Sequence, residues 1–326
     1  MATVETVRGP VELARLGPTL MHEHIFVLDP AALAAYGTFW GDAYWDETRD
    51  VARAAARLRS LVETTAIRTL VDPTVIGTGR FVPRIQRLNE LVDLNIVVAT
   101  GIFAFTELPQ FFRYRRAADI AAFFVRDIER GLDGTSVRAA FLKCAVEEHG
   151  LVGDVPLLLD AVALAHRETG APIMAHTNAA ARTGTLALDA LEQRGVDPAR
   201  VVVAHAGDSN DLDYLRSLAK RGAFLGCDRF GGEHVNSLAS RTATVVALAQ
   251  EGFAEQIHLS HDGSCFLDFL VGDDTLAGRG IDLHLDYELI PRQVVPALLQ
   301  AGLTQAQVDA MLIESAVRYF EPASGR

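Results

Sequence analysis

The feature that most constrains the fold of this chain is an alternation, repeated along its length, between short apolar segments and longer segments with helical periodicity. Short apolar runs bounded by turn residues indicate buried strands, and apolar residues recurring every three or four positions indicate helices. The predicted strands are Thr19–Phe26, Thr69–Pro73, Ile96–Thr100, Ala139–Cys144, Pro172–His176, Val201–His205, Ala223–Gly226 and Gln256–His261. The predicted helices are Thr48–Glu63, Val82–Leu94, Ala118–Arg130, Val155–Thr169, Gly184–Arg194, Asp211–Arg221, Ser237–Glu251, Gln293–Ala301 and Gln305–Tyr319.

Eight strands separated by helices predict an α/β fold, a closed parallel (β/α)8 TIM barrel. An open, doubly wound sheet is the alternative. Glycine and proline support the element boundaries: in Gly170-Ala171-Pro172, glycine suits the end of a helix and proline prevents the helix from continuing. We find no linker or low-complexity run, so residues 1–326 are predicted to form a single barrel domain.

The charge balance and the cysteines narrow the class of protein. Lys and Arg number 30 against 42 Asp and Glu, a net charge of −12 that disfavours binding to nucleic acid or anionic lipid. The sequence shows neither a signal peptide nor an apolar run long enough to span a membrane. The three cysteines (Cys144, Cys227 and Cys265) contain no CxxC pair and fit a reducing compartment. We therefore expect a cytoplasmic protein that acts on a small molecule.

Two histidines on the first predicted strand form an HxH motif. Because successive side chains of a strand point to opposite faces, His22 and His24 point the same way and Glu23 points away from them. If the shared face is the barrel interior, the two imidazoles converge on one metal ion. A structural role for both histidines is the alternative.

Further polar residues end other apolar strands: Lys143 the fourth, His176 the fifth, His205 the sixth and Asp262 the eighth. Each could be a core residue with its own hydrogen-bond partner, because burying an unpaired polar group is costly. Since the carboxyl ends of barrel strands meet at one face, a shared site explains all of them together. Imidazoles with a carboxylate suit zinc, iron, cobalt or manganese better than calcium or magnesium.

Lys143 requires a separate explanation, because a protonated amine cannot bind a cation. Reaction with carbon dioxide would convert the amine into a carbamate, whose two oxygens can bridge two metal ions. The alternative is that Lys143 is a cationic substrate binder or an ion-pair partner. The surrounding metal-ligand types favour the carbamate.

These residues, in this order, resemble the phosphotriesterase family of the amidohydrolase superfamily, and most closely its phosphotriesterase-like lactonases. The resemblance covers essentially the whole chain. It rests on the motifs Leu16-Gly17-Pro18-Thr19-Leu20-Met21-His22-Glu23-His24, Ala99-Thr100-Gly101, Gly170-Ala171-Pro172, His205-Ala206-Gly207-Asp208, Cys227-Asp228-Arg229-Phe230-Gly231 and Ser260-His261-Asp262.

The resemblance implies a binuclear metal centre with defined roles. His22, His24 and Asp262 would hold one divalent ion and His176 and His205 the other, with carbamylated Lys143 and a hydroxide bridging them. Zinc is the first expectation, with cobalt, iron or manganese as alternatives. Asp262 would also be the general acid and base. Asp208 would orient a neighbouring ligand, Arg229 would lie on the substrate side, and relatives are commonly homodimers.

The sequence departs from the lactonase pattern around the substrate. Phe103 stands where the lactonases carry a tyrosine beside the metals, so the ring is kept and the hydroxyl is lost. The loop after the eighth strand carries Gly263-Ser264-Cys265 and Phe269, where relatives often have a cysteine pair and a tryptophan. The predicted pocket residues are Phe103, Phe105, Arg229, Cys265 and Phe269.

We therefore predict a hydrolase of lactones or related esters, with promiscuous phosphotriesterase activity. Asp262, Lys143 and Arg229 are its predicted catalytic residues. An amidase, or another carboxylic ester hydrolase on the same metals, is the alternative favoured by Phe103. A non-catalytic small-molecule binding protein is an alternative of a different class, although its site would be expected to have lost ligands.

Overall fold

The computed structural model of the protein describes residues 2–41, 44–268 and 287–322. In it, eight strands form one parallel sheet, and their order in the sheet follows their order in the sequence. An antiparallel hairpin of residues 3–12 precedes the sheet, and a short parallel pair of two-residue strands, Phe26–Val27 and Phe266–Leu267, lies beside it. The strands are β1 Thr3–Thr6, β2 Gly9–Glu12, β3 Thr19–Leu20, β4 Phe26–Val27, β5 Thr69–Asp72, β6 Asn95–Gly101, β7 Phe141–Val146, β8 Ile173–Thr177, β9 Val201–Ala204, β10 Phe224–Cys227, β11 Ile257–Leu259 and β12 Phe266–Leu267.

The sheet runs in the order β3, β5, β6, β7, β8, β9, β10 and β11, and its first and last strands approach each other just beyond their ends. There the amide of Asp262 donates to the carbonyl of His22 at 3.0 Å, and the amide of His24 donates to the carbonyl of Gly263 at 2.8 Å. These bonds join the two edges, and helices cover the outside. The predicted (β/α)8 barrel is confirmed.

Helices connect the strands and account for most of the predicted helical segments. They are α1 Pro30–Trp40, α2 Glu47–Thr64, α3 Val82–Asn89, α4 Gln110–Arg113, α5 Ala117–Glu129, α6 Val155–Thr169, α7 Thr183–Glu192, α8 Leu212–Lys220, α9 Leu238–Leu248, α10 Val295–Gln300, α11 Gln305–Asp309 and α12 Ser315–Phe320. No helix in the described ranges is both long and apolar enough to cross a membrane.

Alternation along the strands divides the core into two layers. On β6, Ile96 and Val98 pack outward against the helices, whereas Val97 and Ala99 pack inside the barrel. The inner layer is closed at its lower end by large rings, among them Phe141, Phe224 and Tyr319. The inner layer fills the lower part of the barrel, so the polar strand ends lie above a packed floor.

Several predicted boundaries differ from the structure. The first barrel strand is much shorter than Thr19–Phe26, because the chain leaves the sheet after Leu20. The third helix ends at Asn89 rather than Leu94. Sequence periodicity also missed α1, which begins at Pro30 behind Asp29, whose carboxylate accepts hydrogen bonds from the amides of Ala31 and Ala32. Most of the predicted irregular stretch after Asp262 lies outside the described residues.

Candidate metal centre

Two histidines and one aspartate meet at the gap between β3 and β11. The Nε2 atoms of His22 and His24 lie 3.2 and 3.3 Å from the same carboxylate oxygen, Oδ1 of Asp262. Although both histidines follow β3 rather than lie in it, they face the same side, as predicted. The Glu23 side chain between them points away and contacts His261, as predicted from the alternation.

The other two histidines approach from the next strands of the barrel. His176 lies on β8 and His205 directly follows β9, and the Nδ1 of His176 is 2.9 Å from the Nε2 of His205. The same His205 nitrogen is 3.8 Å from Oδ2 of Asp262. One ligand atom from each of His22, His205 and Asp262 lies within 4.8 Å of the other two. The structure thus brings three of the predicted histidines to Asp262 and the fourth, His176, to His205.

Lys143 projects from β7 into the same group. Its side chain is buried, and its Nζ has no hydrogen-bond partner among the described residues. Burial lowers the pKa of Lys143 to about 8, against the attraction of Asp262 and Asp228. The neutral amine, which that burial favours, is the form that reacts with carbon dioxide. An unpartnered amine among ligand-type side chains fits the carbamate.

A buried carboxylate that sequence reasoning did not assign orients two of the histidines. Asp228, directly after β10, places Oδ2 2.8 Å from Nδ1 of His22 and Oδ1 2.9 Å from Nδ1 of His205. It also accepts the backbone amide of His205 at 2.9 Å, where that residue has a φ of 65°. With the protons held on Nδ1, both Nε2 lone pairs face the centre of the site. Asp228 ends a strand, and this position is the signal that could have identified it.

His24 and His176 are also held by a contact at the ring nitrogen that faces away from the other ligands. The Nδ1 of His24 is 2.7 Å from Oγ1 of Thr74, and the Nε2 of His176 is 2.6 Å from Oε1 of Glu147. Burial lowers the pKa of His176 to about 4, so its ring is neutral at neutral pH. Four imidazoles, one carboxylate and an unpartnered amine make a donor set that fits two divalent ions of the zinc type.

Arg229 lies at the edge of this group and contacts the predicted proton carrier. Its Nε is 3.0 Å from Oδ2 of Asp262 and its Nη1 is 3.1 Å from Oδ2 of Asp208. Asp208 also pairs with the buried Arg241 at 2.6 Å. Asp208 therefore contacts two arginines and reaches the ligand Asp262 through Arg229. That it orients this ligand stays a prediction.

A cavity opens above the group, on the face where the strands end. Its wall includes Phe103, Phe105 and Arg229, as predicted for the pocket. The Phe103 ring packs edge-on against His176, with centroids 4.9 Å apart, and Phe105 is 63% exposed at the mouth. The predicted pocket residue Cys265 is not among the described residues of the wall, and its thiol lies 3.4 Å from the hydroxyl of Tyr287. The predicted pocket residue Phe269 lies outside the described residues.

Comparison with known proteins gives a consistent result over the full length of the chain. The model of the phosphotriesterase family matches residues 2–320. A phosphotriesterase homology protein of Mycobacterium tuberculosis is 40% identical over 100% of this chain and 99% of its own length. An aryldialkylphosphatase of Saccharolobus solfataricus is 30% identical over 96% and 98%.

More distant relatives and a solved structure extend the comparison. An N-acetyltaurine hydrolase of Salmo salar is 24% identical over 97% of each chain. The solved structure of the phosphotriesterase from Mycobacterium tuberculosis superposes with a TM-score of 0.91, at 40% identity and 98% coverage of both chains. This likeness supports the barrel topology.

Proposed function

Because this chain belongs to the phosphotriesterase family, we propose that it is a binuclear metal-dependent hydrolase of lactones or related carboxylic esters, with slower cleavage of phosphotriesters. The observation that supports this most directly is the convergence of four histidines, Asp262 and an unpartnered Lys143 at one end of the barrel. A non-catalytic binding protein would have no need to keep the whole set.

The donor set divides into two halves. His22, His24 and Asp262 would hold one ion, and His176 and His205 the other, with carbamylated Lys143 reaching both. Two bound divalent cations, which we propose are zinc, would supply a hydroxide nucleophile near neutral pH and polarise the oxygen under attack. The protein's part is to keep the imidazoles aimed at the metals, which Asp228 does for His22 and His205.

Asp262 is placed to move the proton. Its Oδ1 faces His22 and His24, while its Oδ2 faces Arg229 and the cavity side. In ester hydrolysis it would take the proton of the nucleophile and deliver it to the departing oxygen. Arg229, fixed by Asp208, would hold that carboxylate in place and offer its remaining N–H groups to the substrate.

The residues that line the cavity indicate the chemistry of the substrate. Phe103 and Phe105 give it an apolar surface next to His176, which suits a hydrocarbon portion attached to the scissile carbonyl. The aryldialkylphosphatase relative supports the phosphotriester side reaction, since both reactions build negative charge on an oxygen at the same place.

A second candidate is the hydrolysis of a carboxylic amide. N-acetyltaurine hydrolases are among the relatives of this chain. Phe103 also removes the hydroxyl that lactonase-type relatives present beside the metals. An amide substrate would use the same donor set and the same proton path through Asp262.

One substrate panel distinguishes the candidates. The purified, metal-loaded chain would be assayed on γ- and δ-lactones, acyl-homoserine lactones, paraoxon and N-acetyltaurine, with Asp262→Asn as the inactive control. We expect lactones to have the highest kcat/KM and paraoxon a lower one. N-acetyltaurine as the best substrate would replace the lactonase proposal by the amidase, and no turnover on any of them would contradict both.

We also propose, from the resemblance, that the chain is a cytoplasmic homodimer. Phe111 is 59% exposed and packs on Phe112, which makes this apolar surface a candidate contact between copies. Sedimentation of the wild type and of Phe111→Glu would test it: we expect a dimer and a weakened dimer, respectively, and a monomeric wild type would contradict the proposal.

A further inference from the structure

The carboxylate of Glu147 contacts His176 on the edge of the ring that faces away from the other histidines. Its Oε1 lies 2.6 Å from Nε2 of His176, whose other nitrogen lies 2.9 Å from Nε2 of His205. The side chains of His176 and Glu147 are only 12% and 14% exposed. A carboxylate at this distance holds the proton on Nε2, which leaves the Nδ1 lone pair facing His205.

The strand itself puts Glu147 in this position. Lys143 and Ala145 share one face of β7, because strand side chains repeat every second residue, and Glu147, the first residue after the strand, continues this alternation. His176 on β8 is paired with Ala145, between the two longer side chains. The second oxygen of Glu147 accepts the amide of Glu148 at 3.1 Å, which fixes the plane of the carboxylate.

Glu147 and Asp228 support the histidines in different ways. Asp228 contacts His22 and His205, one histidine from each half of the donor set. Glu147 contacts His176 alone among the four. Loss of Asp228 should therefore disturb both metal positions, whereas loss of Glu147 should disturb one.

We propose that Glu147 is a positioning residue that holds His176 with its Nδ1 toward the metals and thereby sets the affinity of one metal position, that of His176 and His205. It does so without acting on the position of His22, His24 and Asp262. The inference rests on the proposed binuclear function, and it concerns metal affinity rather than the choice of substrate.

Zinc binding to the metal-free full-length protein tests this directly. Isothermal titration and elemental analysis after dialysis against graded chelator would be applied to the wild type, Glu147→Ala, Glu147→Gln and Glu148→Gln. Glu148 is the matched control, because it is the neighbouring residue of the same type, its side chain is 66% exposed, and its carboxylate lies 3.8 Å from the imidazole of His149. Circular dichroism would confirm that each variant is folded.

We expect the wild type and Glu148→Gln to bind two equivalents with the same affinities. In Glu147→Ala one equivalent should lose about 10- to 100-fold in affinity while the other is unchanged. The loss of affinity in Glu147→Gln should be smaller than that in Glu147→Ala, since its amide oxygen still accepts a hydrogen bond but carries no charge. If Glu147→Ala does not fold, the comparison of Glu147→Gln with the wild type tests the inference.

Two results would overturn the inference: unchanged binding of both equivalents in a folded Glu147 variant, or an equal loss of both. A wild type that binds no pair of zinc ions would instead contradict the proposed function. The two failures are thus distinguishable in the same experiment.

Discussion

The carboxylate of Glu23 holds the backbone on both sides of Asp262. Its Oε1 accepts the amide of His261 at 2.9 Å and its Oε2 accepts the amide of Gly263 at 3.0 Å. Between them Asp262 has a φ of 54°, a left-handed conformation that residues other than glycine rarely adopt. The buried carboxylate on one face of the HxH motif therefore fixes the residue that completes the metal centre on the other face.

Replacing Glu23 by Gln should destabilise the protein strongly. One accepting oxygen would become an amide nitrogen facing N–H donors, and a buried, multiply bonded charge would be lost, at a cost of about 3 kcal/mol. Urea unfolding of the metal-free protein would measure this, with Glu63→Gln on the exposed side of α2 as the control. If the free energies of unfolding of the two variants differ by less than about 0.5 kcal/mol, the size expected of a surface substitution, Glu23 does not hold this backbone as we describe.

Replacing Arg229 by Lys should slow turnover without removing the metals. A lysine cannot contact Asp262 and Asp208 from two edges as the guanidinium does, so the proton-carrying carboxylate would be less well held. We expect kcat on the best substrate to fall about 10- to 100-fold, with the metal content unchanged. Arg182→Lys, at an exposed pair with Asp211, is the control. Wild-type turnover in Arg229→Lys would show that the contact is unimportant.

Replacing Phe103 by Tyr should raise lactone turnover relative to phosphotriester turnover. The change adds a hydroxyl to a ring that already packs on His176, beside the metal centre. The ratio of the two kcat/KM values is the measurement, and Phe105→Tyr, farther out at the mouth, is the matched control. An unchanged or reversed ratio would mean that a hydroxyl at this position plays no part.

His258 should make the stability of the metal-free protein depend on pH. It is buried at the floor of the barrel, where its ring stacks on Phe224 at 4.9 Å, and burial lowers its pKa to about 4 from 6.5. Between these values the unfolded chain binds a proton that the folded chain does not. Stability is therefore lost as the pH falls from 6.5 toward 4, and is fully present above 6.5.

The measurement is the free energy of unfolding at pH 7.5 and at pH 5, for the wild type and for His258→Phe. We expect the wild type to lose about 2 kcal/mol more than the variant over this interval, because phenylalanine keeps the stacking and removes the titrating group. The other buried histidines contribute equally to both. Equal losses in the two proteins would contradict this assignment.

The sequence was sufficient to predict the barrel because its strands are buried on both sides and therefore read as short apolar runs. It also located the metal-type residues, since each of Lys143, His176, His205 and Asp262 ends such a run. The length of the first strand was not predictable in this way. Met21 and Ile25 are apolar and buried, but they pack in a segment that bends away from the sheet after Leu20.

The contacts behind the ligands were harder to predict, because they join residues that are far apart in the chain. Asp208 and Asp228 follow neighbouring strands and look equivalent in sequence, yet only Asp228 reaches the histidines. What separates them is Arg241 on α9, which pairs with Asp208 and draws it away. Glu147 could have been predicted, since it directly follows the strand of Lys143 and continues its alternation.

Removing either Lys143 or Asp262 should abolish turnover while leaving the fold intact. Lys143→Ala cannot form a carbamate to reach both halves of the donor set, and Asp262→Asn cannot carry the proton between nucleophile and leaving group. The barrel core lies below both residues, so circular dichroism should match the wild type. Full activity in either folded variant would contradict the proposed mechanism.

The most direct test of the central claim is the metal content of the wild-type chain, measured by elemental analysis together with hydrolysis of the lactone and paraoxon panel. We predict close to two divalent ions per chain, with lactones cleaved much faster than paraoxon. Metal-free protein that hydrolyses these substrates as fast as metal-loaded protein would contradict the claim, and so would a chain that binds no divalent ions at the donor set built around Asp262.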